Sequence, residues 1–275
     1  SLSAIIGIGK VTGELFNKKI GRITLIILFF YPIFFGHMAI NTKDTILAFS
    51  HVWITYLLFR YVKNQEFIIK RNKYIVFFPI LAALGTGIQL TFLGSLAPIL
   101  IFILSDILIF KKITQKSFNI KKFLYDLIKS FLIFYFLLIL FWIDTHPNIL
   151  VLPFSIILET FSGNFWTGWP YNLINGNYYF SNSAPKYYLL INLFFKSPEY
   201  FLLCYLIFLI IFFSSKKFLK QNITFFNYKI CLLFLILIFP NIIFFISPYP
   251  LYDGMRLFLW ALPYFCIIPG IVIYY

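Results

Sequence analysis

Charge is scarce in this chain, and acidic residues are scarcest of all. Of 275 residues only 12% are charged and nine are Asp or Glu, whereas a soluble domain carries about 25% charged residues. That shortage excludes a water-soluble enzyme, a disordered tail, a coiled coil and a nucleic-acid module. Cysteine is sparse too. Cys204, Cys231 and Cys266 each sit inside an apolar run, so neither a disulfide framework nor a paired zinc site can be read from them. There is no glycine-rich phosphate loop and no Gly-x-Ser-x-Gly elbow. His37, His51 and His146 make no metal-binding spacing, and no internal repeat stands out.

What fills the chain is apolar. Hydrophobic residues make up 61%, mean hydropathy is +0.89, and there are 38 Phe, 19 Tyr and 5 Trp. A span needs about 20 mainly apolar residues, because a helix rises ~1.5 Å per residue across ~30 Å of hydrocarbon. Barrel strands would instead alternate every ~10 residues, so helices are the structure that satisfies the backbone here. The runs predict an all-α, polytopic transmembrane helical bundle. Its spans are expected at 23–40, 45–62, 74–92, 94–110, 123–143, 197–213, 229–246 and 257–275. The third and fourth are read as a hairpin turning near Leu93-Gly94-Ser95. The chain opens on Ser1 rather than Met and stops at Tyr275 within an apolar run. It therefore reads as one transmembrane domain, a fragment of a longer protein truncated at its N-terminus.

The formal charge of +14 comes from 23 basic and 9 acidic residues, and topology explains its sign. The links 17–22, 63–73, 111–122 and 214–228 are short and Lys-rich, which assigns them to the cytoplasm by the positive-inside rule. Nineteen of the 23 basic residues then lie on or near that side. Asp106 and Asp126 lie near the same ends and are expected to pair with lysines. Nucleic acid is not needed as a partner. The opposite face keeps Lys43, Lys186, Lys196 and Arg256, with the acids Asp44, Asp144, Glu159, Glu199 and Asp253.

These few outer charges are the candidates for chemistry. Asp44 follows Asn41-Thr42-Lys43 at the start of a span. It reads either as a helix-terminus acid beside an Asn or Thr cap, or as a metal ligand or acid–base group retained at the membrane boundary. Residues 144–196 form the one link large enough to cover a site. It carries His146, Trp166, Trp169, Asn175, Tyr178 and Lys186, aromatic and amide groups suited to stacking on sugar rings and bonding their hydroxyls. An interfacial aromatic belt with Asn-Gly turns is the plainer reading. Ser197, Pro198 and Glu199 read as the cap, first position and first turn of a helix. Lys196 is either a phosphate-binding cation or a snorkelling lysine. Arg256, the only arginine on this face, suits phosphate oxygens or an ion pair with Asp253.

Three stretches carry a resemblance. Tyr31 to Ala48 (YPIFFGHMAINTKDTILA) resembles the third-to-fourth helix junction of bacterial membrane glycosyltransferases of family 39, the dolichyl-phosphate-mannose-protein mannosyltransferase-like enzymes of the GT-C class. Trp169 to Pro198 and Tyr252-Asp253-Gly254-Met255-Arg256 are similar to later parts of the same family, in the same order. The resemblance implies sugar transfer from a polyprenyl-phosphate donor to a protein, lipid or glycan acceptor. It implies the bacterial inner membrane, with the site on the periplasmic face. Asp44 matches the family's second acidic position, whose first counterpart would precede Ser1, so this stretch alone is expected to be inactive. Arg256 matches a donor-phosphate position and Lys196 does so more weakly. Asp44 would bind a divalent metal, Mg or Mn, or orient the acceptor. Two other readings stay open: a transporter or flippase for a lipid-linked sugar, and a non-catalytic membrane scaffold subunit.

Overall fold

A computed structural model of the chain describes residues 2–114, 117–161, 171–174, 176–214, 224–246, 251 and 254–275. Helices dominate, as the apolar runs predict. In chain order they are α1 (Leu2–Leu15), α2 (Lys18–Phe29), α3 (Pro32–Ile40), α4 (Thr42–Asn64), α5 (Ile68–Ile88), α6 (Phe92–Ser95) and α7 (Ala97–Ser105). Then come α8 (Ile120–Phe141), α9 (Leu152–Phe161), α10 (Tyr188–Lys196), α11 (Glu199–Ser214), α12 (Phe226–Ile246), α13 (Leu262–Phe265) and α14 (Ile267–Tyr274). A two-stranded antiparallel hairpin, β1 (Tyr171–Ile174) and β2 (Asn177–Phe180), interrupts them. Its register pairs Ile174 with Asn177 around an Asn-Gly turn, and Gly176 has φ +80, the left-handed geometry such hairpin turns require.

Among the described residues four helical segments are long and apolar enough to cross a membrane: Thr42–Asn64, Phe92–Phe110, Ile120–Phe141 and Phe226–Ile246. Two bent pairs are apolar enough when taken together, Lys18–Phe29 with Pro32–Ile40 at 60° and Tyr188–Lys196 with Glu199–Phe213 at 114°; each is a broken span or a re-entrant loop. The span expected at 23–40 is broken because Pro32 has no N–H to give and forces Tyr31 into an extended conformation. The 74–92 span lies in α5, whose first turns carry Lys70, Arg71 and Lys73 and fall short in apolarity. The 257–275 span divides into a 3₁₀ turn at Arg256–Phe258, α13 and α14, around Pro263 and Pro269. The break after α5 comes at Gln89, a few residues before the Leu93-Gly94-Ser95 turn expected from sequence.

The chain divides into two compact units, Ser1–Phe49 with Trp166–Tyr275, and Ser50–Phe165. In the first, α1 crosses α2 at small residues. A Cβ on Gly21 would run into the carbonyl of Gly9 and sit 3.0 Å from the Gly13 nitrogen, so only glycine permits the crossing. Lipid tails are as apolar as side chains, and close van der Waals packing is therefore what holds such helices together. Tyr31 is fully buried, stacks near Phe201 and bonds the Ser197 hydroxyl at 2.8 Å.

In the second unit α5 packs on α8, and Leu57, Tyr61, Tyr74 and Ile75 form an apolar cluster with Phe118 and Phe123. Asp126 does not pair with lysine as expected. It accepts from Tyr61 at 2.7 Å and lies 3.5 Å from the Arg71 guanidinium. Asp106 gathers the backbone N–H groups of Lys112, Ile113 and Thr114 and the Thr114 hydroxyl. Those donors close the π-helical turn Asp106–Phe110, where Lys111 takes φ 47. Only 17% of the apolar window of α8 is buried, so its outward face suits lipid.

The helix crossing gives a contrast to test. Gly21→Ala is expected to lower thermal stability by roughly 1–3 kcal/mol, the usual cost of overpacking. Gly36→Ala, where nothing lies within 4 Å, should leave it unchanged or raise it. Thermal unfolding of both variants in the same detergent measures this, and equal melting of Gly21→Ala and wild type would refute the crossing.

Candidate functional site

Two chain segments 212 residues apart meet in the first unit. Asp44 lies in the first turn of α4, and Arg256 opens the 3₁₀ turn that precedes α13. The Arg256 Nε donates to Asp44 Oδ2 at 2.8 Å, with side-chain exposures of 29% and 10%. The Asn and Thr before Asp44 do not cap α4 with their side chains as the plainer reading had it. The Asn41 amide bonds the His37 ring at 3.0 Å, while the Asn41 carbonyl accepts from Thr45 N. Asp44 favours the positive helix end but spends its hydrogen bond on the arginine.

Arg256 is held in place from the α10 side. Gly254 has φ +64, and its N–H donates to the Tyr188 hydroxyl at 2.7 Å. A Cβ there would overlap the Lys196 ammonium and sit 3.0 Å from Asn192 Oδ1. Tyr188, Asn192 and Lys196 are spaced i, i+4 and i+8, one face of a helix, and that face meets the Gly254 turn. The Asn192 amide donates to the Tyr188 carbonyl at 2.9 Å. Lys196 stands in the last turn of α10, where a cation opposes the helix dipole. The structure thus brings Asp44, Arg256 and Lys196 to one region of the unit, with Arg256 two residues after Gly254 and the Lys196 ammonium against that turn.

The other candidates divide. Lys186 is exposed and lies over the Phe245 ring at 5.0 Å. Tyr178 points outward from β2 and is exposed. Neighbouring Tyr187 shares a hydrogen bond with Tyr179 that raises its phenol above the usual value. His146 belongs to the second unit, where its ring bonds the Ile139 carbonyl at 2.9 Å. Trp166, Trp169, Asn175 and Asp253 lie outside the described residues, and so does the expected Arg256–Asp253 pair. The 144–196 link is not one loop. It contains α9, the hairpin and α10, and it divides between the two units near residue 165. Ser197 is not the cap of α11, since its hydroxyl bonds Tyr31 while the Pro198 carbonyl accepts the first helical N–H groups. Sequence reading missed Tyr188 and Asn192, although their spacing to Lys196 was there to be read.

Apolar helices of spanning length make this an integral, polytopic membrane protein of helical type. Residues 1–145 match the dolichyl-phosphate-mannose-protein mannosyltransferase family. That is more than half of the 275 residues, and the chain belongs to this family of glycosyltransferases. The match includes Asp44 and stops short of Lys196 and Arg256. No curated protein and no solved structure matches the chain.

A double-mutant cycle checks the ion pair. Asp44→Asn and Arg256→Gln are each expected to lower stability, and the double variant should lose little more than either. The coupling should be about 1 kcal/mol, as for a partly exposed pair. Additive losses in denaturant or thermal melts would show that the two groups do not interact.

Proposed function

We propose that the protein transfers a sugar from a polyprenyl-phosphate donor to a hydroxyl of a protein, lipid or glycan acceptor at the non-cytoplasmic membrane face. The observation that carries this reading is the Asp44–Arg256 pair, with Lys196 beside the same turn. A lipid-linked donor keeps its tail in the bilayer and its phosphate at the boundary, so its site needs cations there. The asymmetry of the lysines supports the outer placement, and the exposed apolar surface of α8 supports lipid as the surrounding partner.

The acceptor oxygen bonds to the anomeric carbon, the bond from that carbon to the phosphate oxygen breaks, and polyprenyl phosphate leaves with the electron pair. Arg256 and Lys196 stabilise the charge that develops on it. The acceptor's proton passes to a carboxylate. Asp44, released when Arg256 turns to the phosphate, orients the acceptor hydroxyl for that transfer. Among the described residues no three His, Cys, Asp or Glu side chains gather as a metal-holding set.

Sugar transfer by the full-length enzyme in membranes, measured with a radiolabelled polyprenyl-phosphate sugar, tests the reading. Arg256→Ala and Asp44→Asn are each expected to reduce kcat/KM by roughly 100-fold or more, the scale of losing a charge-stabilising or proton-handling group. Undiminished turnover in both variants would remove it.

A further inference from the structure

The cations proposed to grip the phosphate sit on different elements, Lys196 on α10 and Arg256 just after the Gly254 turn, and something must fix their spacing. The geometry points to Tyr188 as the positioning residue that sets it, a role that rests on the phosphate reading above. Its hydroxyl accepts the Gly254 N–H at 2.7 Å, and the residue is 2% exposed. One α10 turn further on is Asn192, and one more is Lys196, so the tyrosine, the amide and the ammonium line a single stripe. Gly254 seats itself against that stripe with a left-handed φ and no room for a Cβ. Two residues later Arg256 emerges and reaches Asp44.

Tyr188 thereby ties the backbone that aims the guanidinium to the helix that carries the ammonium. Two cations held at a fixed distance can each take a different oxygen of one phosphate without first paying to find each other. Tyr188 does not touch the phosphate in this scheme. It acts through the turn, and its hydroxyl is the group that matters.

The test is binding of polyprenyl phosphate, and separately of the tail-only polyprenol, to the protein in nanodiscs. Tyr188→Phe keeps the ring and removes the acceptor. It is expected to weaken polyprenyl phosphate about tenfold, an illustrative scale for losing one positioning bond, while leaving polyprenol binding unchanged. A merely structural loss would weaken both ligands together, and that outcome would overturn the positioning role. Gly254→Ala, which leaves Tyr188 intact but drives a methyl group into the Lys196 ammonium, should show the same selective loss and serves if Tyr188→Phe folds poorly. Wild-type phosphate binding in both variants would also overturn it. Arg256→Ala separates the two readings. If it too binds polyprenyl phosphate normally, the phosphate site itself is wrong. If it alone loses binding, only the role of Tyr188 is wrong.

Discussion

In an apolar slab every backbone N–H and C=O must find a partner within the protein, and this constraint governs where the chain can stop being helical. Several helix breaks among the described residues are closed by a polar group that takes over the orphaned backbone. His51 bonds the Ser95 carbonyl at 3.0 Å where α6 ends. Asp106 takes three N–H groups as the π-helical turn unwinds. The Gln65 side chain pairs with both the N–H and the carbonyl of Asn119 ahead of α8. Tyr188 receives the Gly254 N–H ahead of the Arg256 turn.

The breaks on the Asp44 side also gather chemistry, and the reason is the same. A charged group in a span is costly, but at a break it lies near water and beside backbone dipoles that can oppose it. Asp44 begins a helix, Lys196 ends one and Arg256 follows a turn. Their mutual arrangement keeps a carboxylate and two cations together, with Tyr188 and Asn192 beside the Gly254 turn. In the sugar transfer proposed above, a site that can separate charge at the edge of lipid is what the phosphate leaving group needs.

The apolar runs made the helical class legible, because a deficit of charge over 18 or more residues has few other physical meanings. They misplaced the breaks. Pro32 was visible, yet a hydropathy window averages over it, and the 60° bend there comes from a missing donor rather than from polarity. Lys70, Arg71 and Lys73 erred the other way, since they belong to the same helix as the apolar run that follows. Asp44 and Arg256 were singled out by their rarity on one face. Their pairing across 212 residues was not, because no local pattern encodes a contact of that separation.

Asp126 shows why rarity and proximity must be weighed together. It lies among lysines in sequence, and a surface acid there would pair with whichever lysine reached it. Burial changes the outcome. At 3% exposure a carboxylate needs a directed donor, which the Tyr61 phenol provides at 2.7 Å, while the Arg71 guanidinium 3.5 Å away balances its charge without a hydrogen bond from Nε. The Asp44 carboxylate chose arginine over lysine under a similar constraint. Both acids therefore lie beside a guanidinium group. The difference between them is access, because Arg256 retains 29% of its side-chain surface and Arg71 only 18%. Of the two pairs, the one at the start of α4 is the better placed to exchange its carboxylate for an incoming phosphate.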